Sequence, residues 1–374
     1  MSRLSKLHDE SQSIWLDHID RKMLHNGDLE RRISEDFLTG MTSNPTIFEK
    51  ALAEGTEYDE QLLSASTSDP AELFELVETT DVQRACDIFA RVYSSTRGGD
   101  GYVSIEVSPA VANECGATVA EAHRLWETVD RPNVMVKVPG TDQGALAVRE
   151  LTAAGINVNI TLLFSIDAHD RVIDAYMSGL EDRLAAGNPI DHLFSVASFF
   201  VSRVDTEVDK RLDELVKAAN PSDRDRLKML KGRAAIANAK LAYRLFRRRF
   251  SEERWTRLEQ HGGRLQQPLW ASTGVKNPAY RDVMYVEELI GPDTVNTMPP
   301  SLIDAFKDHG DVQRTVDKRV GAAEGVLREI EAVGISMKDV TDKLLVDGLA
   351  SFQKSFDSLT AGIGRKMSQL AATK

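Results

Sequence analysis

Three ionisable residues share an unusual setting: Asp17 in SIWLD, Glu106 in YVSIEVS and Lys137 in VMVKVP. In each segment apolar residues alternate with polar ones. Ile14 and Leu16 alternate with Ser13, Trp15 and Asp17. Val103, Ile105 and Val107 alternate with Tyr102, Ser104, Glu106 and Ser108. Val134, Val136 and Val138 alternate with Met135 and Lys137. The fifth run follows suit, Val158, Ile160, Leu162 and Phe164 against Asn157, Asn159, Thr161 and Leu163. A period of two gives each strand one apolar and one chemically equipped face. Burying any of these charges alone costs several kcal/mol. An amine held among acids and away from water is suited to attack a carbonyl and form an imine, with the carboxyls moving protons. A Glu106–Lys137 ion pair that only closes the core is the structural alternative, although such pairs stabilise poorly.

Other chemistries find little support. The eight histidines include no HxH or HxxxH pair, so no metal site is expected. Neither GxGxxG nor GxxxxGK[ST] occurs, so no dinucleotide or P-loop cofactor is expected. Cys86 and Cys115 read as structural thiols in helices; two cysteines make no disulfide framework and fit a reducing compartment. The run Arg247–Arg249 is followed by Glu252 and Glu253 and reads as a solvated helix face rather than a nucleic-acid contact.

The 374 residues carry 46 Lys+Arg against 58 Asp+Glu, a net charge of -12, which argues against nucleic acid or an anionic membrane as partner. A 42% hydrophobic content suffices for a sizeable core. No apolar run spans a membrane and no leader is apparent, so a cytoplasmic location is expected.

Positioning those residues takes strands at regular intervals. Candidates are Ser13–Asp17, Gly40–Asn44, Tyr102–Ser108, Val134–Pro139, Asn157–Phe164, Leu193–Val201, Pro268–Thr273 and Thr294–Met298. Helical stretches such as Pro109–Asp130, Asp142–Ala154 and Ile166–Ala186 lie between them. Eight strands alternating with helices predict an α/β fold, a (β/α)8 TIM barrel. Thr141 or Asp142 is placed to cap a helix. The gaps after strands 2 and 6 are too long for one helix each and predict extra helices, including an Arg-rich one over Tyr243–Arg257. Residues 311–374 read as appended C-terminal helices, with Leu345, Leu349, Phe352 and Phe356 at helical spacing. The whole chain, 1–374, is expected to be a single domain.

The segments IWLD, GMTSNPTIFEKAL, VSIEVSP, VMVKVPGT, GINVNITLLFS, FFVSRVD and LWASTGVKN resemble, in order, the strand ends of the transaldolases of the longer bacterial type. The likeness runs into VDGLASFQKSFDSL near the C-terminus. It implies that Lys137 forms the Schiff base and that Glu106 works with a bound water as acid and base. Asp17 would handle the proton of the hydroxyl at the bond being cut. Asn44 and Asn159 would bond the hydroxyls of a dihydroxyacetone fragment, and Thr161 would position the water. Ser198 and Phe200 would lie near the substrate, and Arg203 would bind phosphate. Lys276 stands where many transaldolases have arginine, and SVASFF departs from the usual serine-proline-phenylalanine pattern. Local alternatives are a turn role for Asn44 before Pro45, a surface pair of Arg203 with Asp205 or Glu207, and a core role for Phe200.

The resemblance implies transfer of dihydroxyacetone from sedoheptulose 7-phosphate to glyceraldehyde 3-phosphate, with sugar phosphates as partners and no cofactor; self-association is left open. Competing readings are a lyase that releases free dihydroxyacetone, such as fructose 6-phosphate aldolase, and an inert barrel that only binds sugar phosphates.

Overall fold

In the computed structural model, which describes residues 2–372, eight parallel strands close on themselves. They are β1 (Gln12–Asp17), β2 (Gly40–Thr42), β3 (Val103–Glu106), β4 (Val134–Pro139), β5 (Val158–Leu163), β6 (Ser195–Phe200), β7 (Gln266–Ala271) and β8 (Thr294–Met298). Each pairs with the next, and β8 pairs with β1. The expected barrel is the observed one. Four strands, β2, β3, β5 and β6, are shorter than their expected runs, because the chain turns into loops as soon as pairing stops. Thus β2 ends at Thr42, leaving Ser43 and Asn44 free of the sheet. β7 begins two residues before the expected Pro268.

Helix starts follow the local chemistry. Thr141 caps Asp142–Ala154 through Gly144 N at 2.8 Å, and Ser165 caps Ile166–Ala185. Three helices begin at proline behind a capping side chain: Asn44–Pro45, Asp69–Pro70 and Asn220–Pro221. The β2–β3 connection holds Pro45–Glu54, Asp59–Ser64 and Pro70–Ser95. The β6–β7 connection holds Ser202–Ala218, Pro221–Met229, Ala234–Arg249 and Glu253–Glu259. The Arg-rich stretch is therefore two helices: the chain leaves the first at Phe250, and Glu252 starts the second. Arg249 reaches Asp170 at 2.9 Å and Asp174 at 3.0 Å, so the arginine run is tied to acids on a neighbouring helix. Pro109–Asp130 likewise splits into a 3-10 turn, Pro109–Val111, and a helix, Cys115–Val129.

The barrel floor is closed by polar bonds. Asp100 accepts hydrogen bonds from Ser13 Oγ at 2.5 Å and Trp15 Nε1 at 2.8 Å. The Trp15 indole lies so near β2 that a Cβ on Gly40 would come within 2.5 Å of it, which leaves glycine as the residue that fits.

Residues 311–319 form no helix; Val320–Ala332 and Met337–Ala372 follow. The last has 36 residues, about 54 Å at the usual rise. Its buried seam is Leu344, Gly348, Phe352, Leu359 and Ile363, while Leu345, Leu349 and Phe356 are half-buried. The expected stripe was thus one position off over its first turns, since the face that meets the barrel includes a glycine. Among the described residues no helix is long and apolar enough to cross a membrane.

Candidate active site

The C-terminal ends of the strands carry the site, as is general for this architecture. Glu106 on β3 is the register partner of Lys137 on β4, and Lys137 is the partner of Asn159 on β5. Parallel register partners point the same way, so three adjacent strands deliver three functional groups to one level of the barrel. Lys137 Nζ donates to Glu106 Oε2 at 3.1 Å and to the Ser43 carbonyl at 3.1 Å. Both side chains are buried. Burial pushes the Glu106 carboxyl up; the nearby Lys137 opposes this, and the Asp17 charge adds to it.

Asn159 is fully buried; its Nδ2 donates to Ser104 Oγ at 2.9 Å, and its Oδ1 accepts from Ser198 Oγ at 2.7 Å. Thr161 Oγ1 is buried without a hydrogen-bond partner among the described residues. It sits at the end of β5, beside an irregularity between Ile160 and Leu163 where Leu162 adopts φ 58°. That bulge breaks the strand's simple alternation, and Leu162 packs against Gly348 of the C-terminal helix rather than against a barrel helix.

Asp17 Oδ1 accepts from Thr42 Oγ1 at 3.0 Å, and Thr42 in turn bonds Thr297 at 2.8 Å. Asn44 serves as a helix cap, accepting from Ile47 N at 3.1 Å, so the local role foreseen for it is real. Phe200 lies 5.2 Å from the Phe164 ring and 5.4 Å from the Arg203 guanidinium. The surface pairing considered for Arg203 does not occur: Asp205 accepts from Tyr285 and Ala235, and Glu207 pairs with Arg211. Arg203 makes no ion pair or hydrogen bond among the described residues. Burial pulls its guanidinium pKa down, and Asp17 partly restores it.

Lys276 is not brought to this cluster. It is exposed and lines a separate cavity of about 580 Å³ with Thr206, Lys210 and Lys231, none of them a candidate.

Three contributors escaped the sequence. The Ser43 carbonyl is backbone, and no residue type announces it. Glu78, from the middle of Pro70–Ser95, shares a cavity of about 640 Å³ with Glu106, Glu121 and Arg124. Burial and then the nearness of Glu106 push its carboxyl well above the usual range. Phe352 of the C-terminal helix places its ring 5.9 Å from Lys137 Nζ. Its helical spacing was visible, but its target was not.

The profile of the transaldolase/fructose-6-phosphate aldolase family matches residues 14–363. A transaldolase of Thermobifida fusca is 46% identical over 374 residues, covering 99% of each chain. One from Trichodesmium erythraeum is 42% identical over 375 residues, covering 99% of this chain and 98% of its own. Transaldolase 1 of Streptomyces avermitilis is 44% identical over 370 residues, covering 98% and 96%. The chain is therefore an enzyme that transfers a dihydroxyacetone unit, and it belongs to the transaldolase/fructose-6-phosphate aldolase family.

Proposed function

We propose that the reaction moves dihydroxyacetone from sedoheptulose 7-phosphate to glyceraldehyde 3-phosphate, giving erythrose 4-phosphate and fructose 6-phosphate, through a Schiff base on Lys137. This is the transfer of the non-oxidative pentose phosphate pathway. The observation that carries it is the buried Lys137–Glu106 contact at 3.1 Å, an amine beside a carboxyl whose protonated form burial favours.

Lys137 passes a proton to Glu106 and its lone pair attacks C2 of the ketose. Glu106 returns the proton to the carbinolamine hydroxyl, which leaves as water, and an iminium forms. Asp17 takes the C4 hydroxyl proton; the C3–C4 pair of electrons flows into the iminium, and the aldose leaves. The enamine attacks the acceptor aldehyde, whose new alkoxide regains the proton from Asp17. Water activated by Glu106 then hydrolyses the imine. The partnerless hydroxyl of Thr161 suits a group that holds this water, and Asn159 and Asn44 suit the hydroxyls of the three-carbon unit. Ser198 orients Asn159, and Phe200 walls the site beside Arg203.

The unpaired Arg203 guanidinium suits the substrate phosphate. It stands in the first turn of Ser202–Ala218, a helix that no side chain caps, so the dipole adds to its charge. Lys276 remains a more distant candidate, a point charge rather than a fork. Arg203→Ala is expected to raise KM for fructose 6-phosphate roughly 10- to 100-fold, the weight of a charge-assisted contact. Turnover of unphosphorylated fructose should change little; steady-state kinetics on both sugars checks this, and an equal loss on both would remove the phosphate role.

Borohydride reduction in the presence of fructose 6-phosphate, followed by peptide mapping, should place a three-carbon adduct on Lys137. With erythrose 4-phosphate added, sedoheptulose 7-phosphate should appear. Stoichiometric release of free dihydroxyacetone without transfer would make the chain a lyase instead.

A further inference from the structure

The C-terminal helix Met337–Ala372 closes one side of the barrel mouth. Ser355 Oγ meets Thr46 Oγ1, just past β2, at 2.8 Å. Gly348 sits so close to Leu162 at the β5 bulge that an added Cβ would lie 2.9 Å from it. Phe356 stands edge-on to Phe74 at 5.8 Å, and Phe74 to Phe48 at 5.6 Å. Between these anchors Phe352, 5% exposed, sets its ring 5.9 Å from Lys137 Nζ. Asp17, Asn44 and Arg203, on β1 and after β2 and β6, are only half-buried. The amine is thus covered by an aromatic ring on the side of β3 to β5, while the polar groups lie toward solvent.

The enamine on Lys137 has two fates. It can form a carbon–carbon bond with an acceptor aldehyde. It can instead take a proton at the nucleophilic carbon, become an iminium again, add water and leave as free dihydroxyacetone with the amine restored. The second fate needs a proton donor at that carbon; the water that then adds at C2 is the one Glu106 activates in either fate. A benzyl side chain donates no proton, and it occupies space from which a second, proton-donating water would approach that carbon.

We propose that Phe352 biases the enamine toward transfer over release, by keeping proton-donating water from its nucleophilic carbon. This rests on the Schiff-base reading above. The test is a volume series, Phe352→Leu, Phe352→Val and Phe352→Ala, with fructose 6-phosphate as donor and erythrose 4-phosphate as acceptor. Free dihydroxyacetone formed per transfer event should rise as the side chain shrinks, least for Leu and by about tenfold or more for Ala, as water gains the site. Alanine at a buried phenylalanine costs about 3–5 kcal/mol and could unfold the helix; Leu and Val then carry the comparison. A ratio that stays flat while transfer slows makes Phe352 a packing residue and overturns the inference. Borohydride trapping on the unmodified protein separates the two levels: an adduct on Lys137 with a flat ratio sinks the roof alone, and no adduct sinks the function with it.

Discussion

Lys137→Met is expected to stop transfer, with kcat falling by at least about 10⁴-fold, the weight of a covalent nucleophile. Methionine has nearly the reach and volume of the lysine stem, so β4 keeps its place between β3 and β5. Among the described residues no other side chain hydrogen-bonds to both Glu106 and the Ser43 carbonyl as Nζ does. The variant also tests how the site tolerates loss of its cation. Breaking a buried pair costs about 3–5 kcal/mol when an uncompensated charge is left behind. Here the remaining partner can avoid that cost, because burial already favours the protonated Glu106. Stability should therefore fall far less than activity. Coupled assay of transfer and thermal unfolding check the two together; residual transfer above about 1% would mean that another amine carries the intermediate.

Glu106→Gln comes second. General acid–base catalysis is worth about 10²–10⁴-fold, so kcat should fall by that factor. The pH profile is the sharper readout. Glu106 must be a carboxylate to activate water, so kcat/KM rises as pH climbs through its pKa. Burial moves that pKa above the ordinary glutamate value, so the acid limb lies above the range of a solvated carboxylate. In the glutamine variant it should vanish. A limb that persists unchanged would move the acid–base role to another carboxyl, with Asp17 and Glu78 next in reach.

Much of the barrel was legible because its rules are local. Alternation in VSIE and VMVKVP reports which residues face inward, and Asn-Pro and Asp-Pro report where helices begin. The meeting of Lys137 with Glu106 was legible for the same reason, since charges on the inward face of buried strands need a partner. Three things were not. The bulge at Leu162 comes from the fit of β5 to β6, which no single strand encodes. The seam of the last helix includes Gly348, which no hydrophobic pattern counts. The partners of Glu78 and Phe352 lie far away in sequence, and only the folded chain brings them to Glu106 and Lys137.

The position of the roof in the chain has a consequence for synthesis. The eighth strand ends at Met298, so every strand has left the ribosome before Phe352 is made. A chain interrupted between these points would carry the nucleophile, its acid and all eight strands, yet lack the ring above the amine. Such a fragment would spend ketose phosphate on free dihydroxyacetone. On the inference drawn above, completing the last helix would do more than add stability, because it would convert a leaky catalyst into a committed one.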